Sequence, residues 1–551
     1  RTFKGILVPV LVVVVSALVT LAVKVFFGVP LNVVTAALPV FILTIGVADG
    51  IHIYSEYRDL IGEGADRTDA VKHTMRELAA PVILTSLTTA AAFWTLSVTE
   101  IIQIHLFGIF VAIGTLVAMV LSLAFIPALL LLLPQSNTDK TVSNENVDHR
   151  FVSVLESVTR FAIRRPLWIV GPTALLVVIA IFGANLVRVD NDNVAFFPED
   201  SPLVTATNEI NRNMAGTNDL NVIVEDLSGK EEPLKEPAKL QAIADLASFL
   251  EAKPKVGKVL DLSGLVRRLN LVMHDGDPAF NRIPFQTETV EYVESEERDG
   301  QLVEVTKTRE FPGRDAIAQF LFLYESGGGD TLSDAVDNEY RAANVRVLLT
   351  TNSSHEVSLL ENEIRKFVAD RFPPDFRIRF TGPAGVLVAA TEEIVRGQIT
   401  SLALSAVLIF FILLLTFRSL KYGLLASIPL AGTLLINFGI MGFFDIPLDV
   451  GTAVVASIVI GIGVDYSIHY LKRLNVGLDR GMTFDDAVLN AVRYSGKAIV
   501  FNALVVGIGF TALLVSVMTP VYTMGWMITA TMLISAAATV LLLPASLSLF
   551  R

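Results

Sequence analysis

The stretch Gly461-Ile462-Gly463-Val464-Asp465-Tyr466-Ser467-Ile468-His469 puts a carboxylic acid and an imidazole inside an apolar run, 447–471, long enough to cross a bilayer. A hydrocarbon core needs about 20 apolar residues per helix. A charged side chain at its centre costs at least ~2.5–3.5 kcal/mol, so an acid retained there marks a proton or ion pathway. Asp465 and His469 are spaced i, i+4 and share a helix face. The alternative reading is a structural polar pair that holds helices together.

The same pattern occurs earlier as Gly46-Val47-Ala48-Asp49-Gly50-Ile51-His52. Shifting the chain by 417 positions aligns 1–134 with 418–551 without a gap, matching Pro30/Pro447, Thr35/Thr452, Gly46/Gly463, His52/His469, Phe93/Phe510, Gly108/Gly525 and Pro127/Pro544. Two copies of four spans with the same starting side are parallel repeats, a symmetry that transporters use. Before the second copy lie a span, a polar block and another span. By symmetry the first copy is expected to follow the same three elements, so the sequence reads as N-terminally truncated.

Ten spans are predicted, near 5–27, 31–56, 80–98, 102–134, 166–187, 397–417, 422–443, 447–471, 497–517 and 520–549. Composition agrees: among 551 residues 52% are hydrophobic, 18% are charged, none is cysteine, and the mean hydropathy is +0.59. Missing cysteine removes thiol nucleophiles and Cys-ligated metals. A net charge of −12 removes the basic footprint of a nucleic-acid binder. Residues 188–396 carry 37 acidic and 23 basic side chains, so the acidity belongs to this block. Lys and Arg concentrate in 57–79, 135–165, 418–421 and 472–497 and are absent from 28–30, 99–101, 444–446 and 518–519. The positive-inside rule then places the basic loops in the cytoplasm and 188–396 outside.

Within that block, 219–225, 256–262, 343–350 and 376–381 read as strands, and 234–252 and 355–371 as helices. The two β-α-β passages predict an α+β domain of ferredoxin-like type, with a charged hairpin over 287–311 turning at Asp299-Gly300. Gly327-Gly328-Gly329 reads as a connector, since no Lys-Ser/Thr follows it as in a phosphate loop. Asn352-Ser353-Ser354 fits a glycosylation acceptor, a triplet that also arises by chance. Segments 68–78 and 483–494 are expected to be cytoplasmic surface helices.

The candidate proton-relay residues are therefore Asp49, His52, Asp465, Tyr466 and His469. Thr85, Thr88, Thr89 and Asn502 are candidate relay support, although interhelical hydrogen bonding is the commoner use of such residues. Gly46, Gly461 and Gly463, with Gly507 and Gly509, are expected to permit close helix approach.

The two motif blocks, with Pro-Leu-Asn (30–32), Pro-Leu-Asp (447–449) and the Pro-Ala ends at Pro127 and Pro544, resemble the fourth and tenth helices of resistance–nodulation–division (RND) exporters. The similarity is to the MMPL-type, hopanoid-exporter-like branch and covers essentially the whole chain. It implies a polytopic α-helical membrane protein of twelve spans when complete, with extracytoplasmic porter domains, in the bacterial inner membrane. It implies proton-driven export of lipids or other hydrophobic molecules, with protons as the coupling ion and no cofactor, metal or catalytic residue. Partners on this view are a hydrophobic substrate and the membrane, and a homo-oligomer and a periplasmic lipid carrier stay open. In the family, Asp-Tyr dyads on the two motif helices face each other and relay protons. Asp465 and Tyr466 match that dyad, whereas the first copy has Ala48 opposite Asp465 and Asp49 opposite Tyr466. A coupled pair formed by Asp49 and Asp465 across the repeat axis is the expectation that follows. A lipid- or sterol-sensing receptor and a SecDF-like translocation accessory are the competing readings. No Ser/His/Asp, metal-ligand or Walker spacing argues for an enzyme.

Overall fold

The computed structural model describes residues 3–132, 145–298, 301–328 and 332–550, with two compact units: Arg1–Asp190 with Thr391–Arg551, and Asn191–Ala390. Among the described residues ten helices are long and apolar enough to span a membrane.

The repeat is visible in the helix bounds. Leu7–Phe26, Thr35–Gly62, Arg67–Val98 and Ile102–Leu132 form one set, and Leu420–Phe443, Thr452–Asp479, Phe484–Val515 and Thr519–Leu549 the other. The caps repeat as well. The Asn32 carboxamide oxygen accepts from the Thr35 amide at 2.9 Å, and the Asn32 amide donates back to Thr35 Oγ1 at 3.0 Å. Asp449 and Thr452 make the same exchange at 2.7 and 2.8 Å. Such reciprocal caps satisfy amides that an α-helix leaves unpaired at its start. Close packing is repeated too: a Cβ on Gly108 would lie 2.5 Å from the Phe93 carbonyl oxygen, and one on Gly525 would lie 3.1 Å from that of Phe510.

The eighth span, Thr452–Asp479, is the most enclosed, with 89% of its most apolar window buried against 11% for Leu167–Ala184. The Phe41 ring meets Phe107 of its own repeat and Phe510 of the other edge-on, both at 4.9 Å. Aromatic pairs of this kind contribute about 0.5–1.5 kcal/mol each beyond their burial.

Two expectations change here. Segment 68–78 is the start of one helix, Arg67–Trp94, that runs on into the third span. Segment 483–494 likewise leads through Phe484–Ala491 and a π-helical turn, Val492–Gly496, into Lys497–Phe510. The helical path continues through Pro81 in the first repeat and through the π turn ending at Gly496 in the second, so these residues do not end the helix. A second π turn, Ala538–Leu542, also occurs in the second repeat, while the corresponding positions of the first repeat are regular α-helix.

The second unit holds strands β1 (Asn218–Asp226), β2 (Val256–Leu260), β3 (Glu288–Arg298), β4 (Gln301–Phe311), β5 (Ala342–Leu349) and β6 (Phe376–Thr381). Four of them form an antiparallel sheet in the order β2-β5-β1-β6. With helices Pro237–Glu251 and Ser354–Arg371 as the two crossovers, this is one ferredoxin-like sheet in which the two β-α-β passages interlock. Leu220, Val222 and Val224 of β1 and Val345, Val347 and Leu349 of β5 are buried with Leu240, Ile243 and Ile364 of the crossovers. The opposite face is polar and carries Arg377 and Arg379 on Glu225, and Arg346 on Asp219. That alternation is what lets one face of an antiparallel sheet meet water. β3 and β4 pair with each other in a two-stranded sheet. The expected hairpin turn at Asp299-Gly300, and Gly329, lie outside the described residues; Gly327 and Gly328 close helix Gly313–Ser326.

Candidate functional site: a cavity shared by the two repeats

A cavity of about 30 Å3 is lined by Ile45, Ala48, Asp49, His52, Thr85, Ser86, Thr89, Thr115, Ile462, Asp465, His469, Asn502 and Val506. A water needs roughly 10–15 Å3 on this measure, so the space suits about two. The wall is built from repeat counterparts. Ile45 and Ile462, Ala48 and Asp465, His52 and His469, Thr85 and Asn502, and Thr89 and Val506 are each 417 positions apart and all line it.

The structure thus brings Asp49 and Asp465 to one cavity. The Ser86 hydroxyl donates to Asp49 Oδ2 at 3.1 Å. The Thr88 and Thr89 hydroxyls lie 3.2 and 3.4 Å from the two oxygens of Asp465, and each shares its one proton with a nearer backbone carbonyl, Thr85 at 2.8 Å and Gly461 at 3.0 Å. All three donors belong to helix Arg67–Trp94, which lies against both motif helices. Among the described residues, neither carboxylate is within ion-pair distance of a Lys, Arg or His. The His52 and His469 rings are stacked, with centroids 5.3 Å apart and planes at 24°.

Two candidates stand elsewhere. Tyr466 is buried and its hydroxyl lies 3.9 Å from the Met532 sulfur, so it does not line the cavity. Neighbouring residues of a helix point about 100° apart, and Asp465 takes the cavity direction. Thr88 is not a wall residue but reaches Asp465 from behind the wall. Thr85 bonds back to the Pro81 and Val82 carbonyls, while Asn502 lines the cavity with its Oδ1 buried and without a hydrogen bond.

Sequence reading passed over Ser86 and Thr115. Their repeat counterparts are Ala503 and Met532, and Met532 is the residue against which Tyr466 packs. The first repeat therefore offers polar neighbours at the position where the second offers apolar ones. Asp49, aligned with Tyr466 rather than Asp465, lines the cavity beside these polar residues. The comparison of counterparts across the repeat carried this information in the sequence.

The candidate glycines lie at tight crossings. A Cβ on Gly46 would stand 2.8 Å from Val13 Cγ1, one on Gly461 3.1 Å from Ala92 Cβ, and one on Gly463 3.0 Å from Ser535 Oγ. Gly509 would meet Thr44 at 2.7 Å, whereas Gly507 has ordinary contact with Thr529 at 3.4 Å.

Comparison with known proteins agrees with this architecture. The chain matches the MMPL family over residues 1–168 and 195–550. It is similar to membrane protein MJ1562 of Methanocaldococcus jannaschii, with 23% identity over 370 residues, covering 66% of this chain and 85% of that one. It is also similar to membrane protein YdgH of Bacillus subtilis, with 28% identity over 168 residues, and to membrane protein ActII-3 of Streptomyces coelicolor, with 23% over 211. Those two matches cover 30% and 37% of this chain but only 18% and 30% of the relatives' lengths. With ten apolar helices, an internal repeat and a family match over most of its length, the chain is a member of the MMPL family, multi-span membrane proteins of the RND transporter type.

Proposed function

We propose that this chain exports lipids or other hydrophobic molecules across a bacterial inner membrane, driven by proton flow through the Asp49–Asp465 cavity. The observation that carries the reading is the pair of acids, one from each repeat, at a single cavity inside the bundle. Their partners are hydroxyls rather than cations. A hydroxyl can donate to a carboxylate and accept from a carboxylic acid, so such partners suit a group that gains and loses a proton. The stacked imidazoles supply further proton-carrying groups beside it. On this reading the basic loops face the cytoplasm, the unit 191–390 lies outside, and energy comes from an ion gradient.

The test compares membrane lipids by mass spectrometry in a strain deleted for the complete gene and complemented with wild type or Asp465→Asn. Accumulation of one lipid that wild type alone clears would identify both the cargo and the coupling. An unchanged lipid profile, or full rescue by Asp465→Asn, would overturn proton-driven lipid export and favour the sensor or translocation readings.

A further inference from the structure

The two motif helices continue past the histidine pair with more ionisable residues. Glu56 follows Asp49 by seven positions and His52 by four, so the three share one helix face at about 5.4 Å per turn. Lys472 and Arg473 follow His469 by three and four. Arg473 is the repeat counterpart of Glu56, just as His469 is of His52, and Glu77 is the counterpart of Tyr494.

Glu56 is half-buried and lies within electrostatic range of Asp59, Arg473, His73 and Glu77. Lys472 interacts in the same way with Glu77 and with His469. Among the described residues, no hydrogen bond or ion pair within bonding distance occupies Glu56, Glu77 or Lys472. The Arg473 guanidinium lies 4.4 Å from the Tyr494 ring centroid, and its buried Nε has no acceptor. Tyr494 itself is 56% exposed, which puts this level at the edge of the bundle. Next to it in the π turn, Ser495 donates to the His469 carbonyl at 3.3 Å. Glu56, Lys472 and Arg473 are partly buried, whereas His73 and Glu77 are exposed, so the cluster runs from the bundle interior to its surface. Here opposite charges from three helices converge one turn beyond the histidines and stay unpaired.

We propose that Glu56, framed by His73, Glu77, Lys472 and Arg473, is the port through which protons pass between the cavity and the side bearing the Lys/Arg-rich loops. This rests on the proton-coupled reading above. A hydronium ion gives a proton to the Glu56 carboxylate and leaves as water; the new O–H bond then breaks as the proton passes to the His52–His469 pair. The imidazole gives up one proton toward Asp465, and Glu56 and the imidazole return to their starting states. Release runs the same steps in reverse, and no electron changes hands.

The test uses the full chain in lipid nanodiscs and a photolytic proton jump, following the carboxylic-acid infrared band that Asp465→Asn removes. Glu56→Gln is expected to slow the rise of that band by about tenfold or more, as loss of a positioned proton donor does. The final amplitude stays at the wild-type level, and Glu56→Asp keeps the fast rise. A rise in Glu56→Gln as fast as in wild type would overturn the port while leaving the relay intact. Equal slowing in Glu56→Gln and Glu56→Asp, or a reduced final amplitude, would mean a packing role and would also overturn it. Absence of any band removed by Asp465→Asn would overturn the relay itself, and the port with it.

Discussion

His52 stacks on its own repeat counterpart, His469, with ring centroids 5.3 Å apart. Two equivalent residues can touch only near the axis that relates the repeats, so this pair marks that axis. Two imidazolium ions at that spacing would repel, and one proton at a time is what the pair can hold at low cost. His52→Ala and His469→Ala are therefore expected to be non-additive. A double-mutant cycle on thermal stability in detergent should show a coupling of roughly 0.5–3 kcal/mol, the range found for residues in contact. Strict additivity would mean that the stack carries no interaction.

Gly108 and Gly62 differ in the space around them. A Cβ at Gly108 would lie 2.5 Å from the Phe93 carbonyl oxygen and 2.6 Å from Leu96 Cβ, whereas nothing lies within 4 Å of one at Gly62. Gly108→Ala should lower the melting temperature strongly, because the helices Arg67–Val98 and Ile102–Leu132 must separate to admit the methyl group. Gly62→Ala should change stability by no more than about ±0.5 kcal/mol. Fluorescence-detected size exclusion after heating reads both, and similar melting points would contradict the close approach.

Asn32 and Asp449 perform the same capping exchange, but only Asp449 is ionisable. Burial pushes its carboxyl up, against the Thr452 hydrogen bonds, with Asp190 adding in the same direction. The native state then binds this proton more tightly than the unfolded chain. Its contribution to stability is fully present below the ordinary aspartate range, about 3.9, and is lost as pH rises through the raised native value. Asp449→Asn should keep the cap and remove that loss, so the variant gains on wild type as pH rises. Asp449→Ala should cost about 0.5–2 kcal/mol at low pH, where the wild-type contribution is fully present, and less as pH rises. Thermal melts of the two variants against wild type across acidic pH check both statements.

In the unit 191–390, Asp226 receives donors from Lys239 and Ser228. Burial acts to raise its carboxyl, but these donors outweigh it and hold it below the usual range. The sign is opposite to that of Asp449: this contribution is present above the unfolded value and is lost as pH falls through the depressed native one. Lys239→Met should therefore loosen the end of β1, and the loss should be largest near neutral pH and shrink in acid. Hydrogen exchange of residues 218–226 in the full chain reads it; unchanged protection at neutral pH would contradict the pairing.

Much of the fold is legible in the sequence. A run of about 20 apolar residues has few alternatives to a spanning helix, and the 417-residue shift already paired every helix of one repeat with its counterpart. In residues 191–390 the four sheet strands and the two crossover helices were readable from alternation and amphipathicity, with ends within about three residues of those observed, whereas the helices Pro202–Asn213, Leu262–Met273 and Gly313–Ser326 were not read. The continuity of Arg67–Trp94 was not readable, because a polar amphipathic segment and an apolar one can be joined by an unbroken helix or by a turn with little local difference.

By itself, then, the sequence determined the spans, the repeat, the ferredoxin-like passages and the acids and imidazoles placed within apolar helices. These depend on hydrophobic length, period and composition, which are local properties of the chain. Only the tertiary structure decided that Asp49 and Asp465 line the same cavity, that Ser86, Thr88 and Thr89 serve them, and that Tyr466 turns away toward Met532. The reason is geometric. Adjacent helix positions differ by about 100° in direction, so which of two neighbouring polar residues enters a site is set by the packing of the helices around it, through contacts such as those of Gly46 with Val13 and Gly461 with Ala92.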